Sequence, residues 1–239
     1  SMDDMNNYRG ISVLPPIGKM FEKLLADQII IHLNNNNLLY NGQYGFRSCH
    51  SCESALHEIL SDMNRILSER KIGLYFFIDF KKAFDLVPTD ILLMKLKYGY
   101  GFDDDAIKLL ADYFKNRSQY IKIDKILSTI CQVLLGVPQG SVLGPLLFIL
   151  FINDLPYFLN KFFTILFADD TTLAQNSDAY YDLMNKFNTS IKDLIQWCRF
   201  NKVDINWKKS EIMFVTNKKN IIIPDTISIM NNAAGIRPS

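Results

Sequence analysis

Asp169 and Asp170 are adjacent carboxylates inside an otherwise apolar stretch. Phe162-Phe163-Thr164-Ile165-Leu166 precedes Phe167-Ala168, and Thr171-Thr172-Leu173 follows the pair. Crowded carboxylates repel one another, and desolvation raises the cost further. A divalent metal offsets both effects, because hard cations select carboxylate oxygens. A hairpin tip that merely uses Asp-Asp is the alternative, since aspartate favours turns.

Asp79 closes a second apolar run, Leu74 to Phe80. It lies ninety positions before Asp169 in the chain. Adjacent antiparallel strands would nevertheless bring the two side chains together. Two aspartates on neighbouring strands plus one backbone carbonyl, that of Phe80 being the natural third donor, make a site for two Mg²⁺ ions, with Mn²⁺ as a substitute. Such a pair serves in-line displacement at phosphorus, activating a 3′-hydroxyl and stabilising departing pyrophosphate. A strand-end aspartate bonded to a loop is the plainer reading of Asp79.

Between these carboxylates runs Gly136-Val137-Pro138-Gln139-Gly140-Ser141-Val142-Leu143-Gly144-Pro145. Its glycines allow a backbone to approach a ligand closely. Gln139 offers both a donor and an acceptor. A Gly/Pro loop leading into a helix has the same composition.

The elements that must position these residues follow from periodicity. Ile17 to Leu33 predicts an amphipathic helix with Phe21, Leu24, Leu25 and Ile29 on one side, and Glu53 to Glu69 a second. Leu74 to Phe80 predicts a strand buried on both faces. Pro88-Thr89-Asp90 opens a helix to about Tyr98, with Gly99 as its stop, and Asp103 opens another. Gln119 to Ile123 and Ile130 to Leu134 predict a strand pair. Val142 to Leu159 reads as one very apolar helix, and Phe162 to Leu173 as a hairpin. Asp178 to Phe200 carries Leu183, Phe187, Ile191, Leu194 and Cys198 on one helical face. Asp204 to Ile205 and Ile212 to Val215 read as short strands, and the chain after Thr216 as a frayed polar tail or the start of something cut short. Helices and strands mix without regular alternation, which predicts an α+β fold.

Composition narrows the classes. The 239 residues are 49% hydrophobic and 21% charged, with net charge +1. That suffices for a large core and provides no global field toward a polyanion, so nucleic acid must be held by local basic patches. Lys115, Arg117, Lys122 and Lys125, with Tyr113, Phe114 and Tyr120 interleaved, form one such patch. Arg199, Lys202, Lys208 and Lys209 form another. Phosphate contacts of this kind position without specifying sequence. Cys49 and Cys52 have the spacing of half a zinc site, but no second pair follows, so free thiols in a reducing compartment are expected. The longest apolar run contains Gly144 and Pro145 and is too short to span a bilayer. With no signal peptide at the start, an intracellular protein without a membrane partner is expected. Ser1 before Met2 reads as a residue left by a cleaved tag.

Three segments taken together resemble the successive palm motifs of reverse transcriptases. They are Ile78-Asp79-Phe80-Lys81-Lys82-Ala83-Phe84-Asp85, the Gly136 to Pro145 loop, and Phe167-Ala168-Asp169-Asp170. The likeness is to non-LTR (LINE-type) retrotransposons of the CR1 and jockey kind. Tyr8 to Leu14 and Gln43-Tyr44-Gly45-Phe46-Arg47 are similar to the fingers motifs. Asp154-Leu155-Pro156 follows at the family's distance. Trp197, Asn201, Asn206, Lys209 and Ser210 are similar to the last palm motif. The likeness runs over about residues 8 to 216.

The resemblance implies a right-hand polymerase fold, with an antiparallel palm sheet packed on helices. It implies fingers over 8–73, with part of 100–135 contributing, and a palm over 74–216. Residues 1–7 would be a tag remnant and N-terminal arm, and 217–239 a polar tail or a truncated start of the primer grip and thumb. Asp79 and Asp169 would hold the metals, with Asp170 supporting the site or touching the metals more weakly. Phe84 would be the steric gate against a 2′-hydroxyl. Gln139 and Gly140 would sit near the nascent base pair and template. Arg47 and Arg9 would clamp triphosphate oxygens, as guanidinium groups do. Lys209 would protonate pyrophosphate. The implied partners are an RNA template, a DNA primer, dNTPs and the rest of a longer retrotransposon polyprotein, in nucleus or cytoplasm.

Gly10 stands where the family usually has proline, and Cys52 where threonine is common. Ile221 to Ser239 contains neither a Tyr-Leu-Gly primer-grip signature nor a helical thumb. The implied activity is RNA-directed DNA polymerisation. The alternative is a domesticated, non-catalytic module that binds nucleic acid or acts as a scaffold.

Overall fold

The computed structural model describes residues 11–219, 221–224, 227–228 and 235–236. The chain packs as two compact units, Ser1–Leu38 with Phe84–Phe151 and Leu39–Ala83 with Ile152–Ser239.

The second unit is built on a four-stranded antiparallel sheet. Its strands are β1 (Ile72–Ile78), β6 (Phe163–Phe167), β7 (Asp170–Ser177) and β8 (Glu211–Thr216), in the order β6-β7-β1-β8. Helix α2 (Cys52–Ser68) covers one face, where Ile66, Tyr75 and Ala174 form a buried cluster with Met63, Phe77 and Met213. Helix α7 (Tyr180–Asn201) covers the other, where Phe187 meets Phe76 edge-on at 5.7 Å. β1 is therefore apolar on both faces, as its unbroken run of large side chains predicts. Each such side chain contributes about 1.5–3 kcal/mol on full burial. The Tyr75 hydroxyl, buried among them, donates to Asp62 Oδ2 at 2.6 Å, and Asp62 pairs with Arg65. The expected helix over Asp178 to Phe200 is present, and Leu183, Phe187, Ile191 and Leu194 are fully buried on it.

In the first unit, α1 (Pro16–Asn35), α3 (Thr89–Tyr100), α4 (Asp104–Phe114) and α5 (Leu143–Ile152) are tied by polar bonds between helices. His32 Nε2 donates to the Tyr100 carbonyl at 2.7 Å, and the Tyr100 hydroxyl donates to the Leu150 carbonyl at 2.7 Å. Two short ribbons extend from the unit. β2 (Ser118–Gln119) pairs with β5 (Cys131–Gln132), and β3 (Lys122–Ile123) with β4 (Ile126–Leu127).

Several expectations need correction. The face of α1 read from apolar spacing is only partly the buried one: Ile29 is buried as expected, but Phe21 and Leu24 are 48% and 64% exposed. Glu22, Ala26 and Leu33 complete the buried face. The stop of α3 is Gly101, in the left-handed region at φ 70°, two residues beyond Gly99. The helix read over Val142 to Leu159 breaks into α5 and α6 (Leu155–Phe158). At the break, Asn153 Oδ1 accepts from the Tyr40 N–H at 2.8 Å. Within the segment expected to be a polar tail or the start of a primer grip, β9 (Ile227–Ser228) pairs antiparallel with β10 (Gly235–Ile236).

Candidate active site

The register of the second unit's sheet sets the site. β1 and β7 are antiparallel neighbours, and their last pair is Ile78 with Thr171. One residue further, Asp79 lies level with Asp170, and Asp169 stands in the adjoining turn. That turn has only two residues, Ala168 and Asp169, because Phe167 already pairs with Asp170. Ala168 takes φ 57°, whereas Asp169 does not enter the left-handed region. This is the sign pattern of a type II′ turn, whose first central position favours glycine. The backbone at Ala168 is therefore strained.

Asp79 and Asp169 are half-buried, whereas Asp170 is exposed. Asp79 is held from the segment between α7 and β8. Asn206 Nδ2 donates to Asp79 Oδ2 at 2.7 Å, and the Ser210 hydroxyl accepts from the Asp79 N–H at 3.2 Å. Phe80 and Ile205 form an antiparallel bridge. Its hydrogen bonds run on either side of Phe80, from Asn206 N–H to the Asp79 carbonyl and from Lys81 N–H to the Asp204 carbonyl. Among the described residues the Phe80 carbonyl accepts no hydrogen bond, and no Lys or Arg pairs with Asp79 or Asp169.

These donors fit a hard cation. Among the described residues, Asp79 Oδ1 is uncommitted, Asp169 makes no ion pair, and the Phe80 carbonyl is free of the ladder. All are oxygen ligands, the set that magnesium and manganese select. Among the described residues no three His, Cys, Asp or Glu side chains converge as a metal cluster. The donors at hand are the Asp79 and Asp169 carboxylates and the Phe80 carbonyl, with the exposed Asp170 beside them at the start of β7. Cys49 and Cys52 are both exposed thiols.

The remaining residues divide between the units. In the second, Arg47 Nη1 donates to the carbonyls of Tyr40 at 2.8 Å and Gln43 at 3.1 Å, and partial burial lowers its pKa. Lys209 is exposed in the turn before β8. In the first, Phe84 is half-buried and stacks on Phe148 with ring centroids 4.3 Å apart. Gln139 Nε2 donates to Asp85 Oδ1 at 2.9 Å. Gly140 takes φ 97°, and a Cβ there would meet the Ser12 carbonyl at 2.9 Å. Arg9 lies outside the described residues. Of the basic patches, Arg117 stacks over the Tyr113 ring at 4.7 Å and Lys115 pairs with Asp112 at 3.3 Å. Lys122, Lys125 and Lys208 are exposed.

Sequence reasoning assigned no role to Asn206 or Gln43, although both stand in quoted motifs. The signal was only their company, since neither residue type announces a partner more than a hundred positions away.

Comparison with known structures places this arrangement in a class. The chain shares its fold with apo telomerase from Candida tropicalis at a TM-score of 0.60 and 12% identity, covering 87% of this chain and 38% of that chain. The class is thus the right-hand polymerase fold, α+β as the sequence predicts. The family model for reverse transcriptase (RNA-dependent DNA polymerase) matches residues 2–227, and the chain belongs to that family. A probable RNA-directed DNA polymerase from transposon X-element of Drosophila melanogaster is 30% identical over 217 residues, 89% of this chain and 24% of the relative. The RNA-directed DNA polymerase from mobile element jockey of the same species is 26% identical over 222 residues, 90% of this chain and 24% of the relative. The non-LTR likeness read from the motifs is therefore correct. The chain spans about a quarter of the length of these curated relatives. Family membership carries dependence on a divalent metal. No helix among the described residues is long and apolar enough to cross a membrane.

Proposed function

We propose that this chain carries the nucleotidyl-transfer centre of an RNA-directed DNA polymerase, extending a DNA primer on an RNA template with dNTPs. The observation that carries the reading is the β1–β7 register, which sets Asp79 beside the Ala168-Asp169 turn. Asp79, Asp169 and the Phe80 carbonyl would hold two Mg²⁺ ions, whose bound charge activates the primer 3′-hydroxyl and stabilises leaving pyrophosphate.

The chain's own residues do the rest. Asn206 and Ser210 fix Asp79, leaving Oδ1 for ligation. The 3′-hydroxyl gives its proton to solvent, and its oxygen bonds to the α-phosphorus as the bond from that phosphorus to the bridging oxygen breaks. Lys209 Nζ gives a proton to the departing pyrophosphate. Arg47 has guanidinium nitrogens beyond Nη1 with which to bind triphosphate oxygens. Asp170 supports the centre from the first position of β7. By family resemblance, Phe84 excludes the 2′-hydroxyl, Gln139 and Gly140 contact the nascent pair, and Arg9 assists Arg47. The same resemblance supports fingers over 8–73, a palm over 74–216, and association with the remainder of a retrotransposon polyprotein.

Primer extension on an RNA template with Mg²⁺ and dNTPs tests this. Short, distributive incorporation is expected, and Asp169→Ala should abolish it. Equal incorporation by that variant rejects the metal assignment. RNA binding by both proteins with incorporation by neither points instead to a nucleic-acid-binding module.

A further inference from the structure

The strained turn needs a restraint, and the structure supplies one from a segment far away in sequence. Gly42 to Tyr44 runs parallel beside β6. The Leu166 N–H donates to the Gly42 carbonyl at 2.8 Å, and the Tyr44 N–H to the Leu166 carbonyl at 2.7 Å. This docking carries the Gln43 side chain inward until it is 0% exposed. Its Oε1 accepts from two backbone donors, Gly45 N–H at 2.8 Å and Ala168 N–H at 3.2 Å. The adjacent Gly45 packs directly on the same peptide, since a Cβ there would meet Ala168 N at 2.2 Å and the Phe167 carbonyl carbon at 3.0 Å.

We infer that Gln43 is a positioning residue for the metal centre, holding Ala168 in its left-handed conformation and so aiming the Asp169 carboxylate. The Ala168 N–H would otherwise be a buried donor without a partner, and a non-glycine residue would relax out of positive φ. Gln43 Oε1 removes both tendencies with one atom. Only the acceptor is committed, for Gln43 Nε2 is buried without a partner in the described structure. The amide is thus retained for its oxygen. Residues that orient a metal ligand from behind typically change metal affinity about 10–100-fold when lost. The inference rests on Asp169 being a metal ligand, as proposed above.

The test is calorimetric titration of the whole chain with Mn²⁺ alone, without nucleotide or primer. Gln43→Met keeps the length and removes the acceptor, and should weaken binding about 10–100-fold. Gln43→Glu keeps an acceptor oxygen and should bind within about threefold of the unaltered protein. Ala168→Gly should rescue Gln43→Met, because glycine holds positive φ unaided. The double variant should match Ala168→Gly alone within about threefold. Thermal melting checks that each variant is folded, and Gln43→Asn, whose oxygen is drawn back by one methylene, replaces Gln43→Met should that variant not fold. Unchanged Mn²⁺ binding by the acceptor-free variant, or a double variant as weak as the single one, overturns the inference. If the unaltered protein binds Mn²⁺ no better than Asp169→Asn, the polymerase reading itself falls, and this inference with it.

Discussion

Asn206 grips Asp79 twice, through its backbone N–H to the Asp79 carbonyl at 2.8 Å and through Nδ2 to Oδ2 at 2.7 Å. The first bond fixes the strand end and the second fixes the carboxylate plane. Asn206→Ala should lower single-turnover incorporation about 10–100-fold, with little change in KM for dNTP. Asn206→Asp should do worse, since it sets one carboxylate against another. Pre-steady-state primer extension measures both, and equal rates in all three proteins would remove the positioning role.

Phe84 rests one face of its ring on Phe148 at 4.3 Å, which fixes the ring as a rigid plate. If it screens the sugar, Phe84→Ala should raise the ratio of ribonucleotide to deoxynucleotide incorporation about tenfold or more. Competitive extension with matched rNTP and dNTP reads that ratio. Unchanged discrimination with a lower melting temperature would assign Phe84 to packing alone.

Glu22 is buried on α1, and its Oε2 accepts from the N–H groups of Val142 and Leu143 at 2.7 and 3.3 Å. Its Oε1 accepts from the Tyr113 hydroxyl at 2.8 Å. A carboxylate at the start of α5 also suits the helix dipole. Glu22→Ala strands these donors and should cost about 2–3 kcal/mol, a fall in Tm of about 4–12 °C. Glu22→Gln keeps an acceptor and should lose less. Calorimetry that finds no difference between the two would contradict this account.

The strand β1, the helix α7 and the β6–β7 hairpin were legible because each carries its own signal: an unbroken apolar run, a 3.6-residue period, and two apolar stretches meeting at Asp-Asp. The full buried face of α1 was not, because Glu22 is drawn inward by the N–H groups of Val142 and Leu143, which its own helix does not announce. The break after Ile152 was equally hidden, since Asn153 ends α5 in order to serve Tyr40. At the candidate site, the acidic residues could be read from type and place. Gln43 could not, because its bond to Ala168 spans 125 positions.

Burial pushes the Cys198 thiol up to about 12 from an ordinary value of 9.0, with Asp204 adding to the shift. The folded protein therefore keeps this proton between about pH 9 and 12, where the unfolded chain gives it up. Stability must fall as pH rises through that window, and no such loss arises below it. Cys49, Cys52 and Cys131 are exposed. A thiol reagent at pH 8 should label those three quickly and Cys198 only on unfolding. Rapid labelling of all four would refute the burial.

β1 is flanked on one side by β7 and on the other by β8, so it owns no free edge. Fraying of the sheet must begin at its margins, and the amides of Leu74 to Phe77 should be among the slowest to exchange with deuterated water. Asp79 thus hangs from the strand that opens last, whereas Asp169 follows β6, a marginal strand. A partly melted chain would keep the first carboxylate in place and release the second.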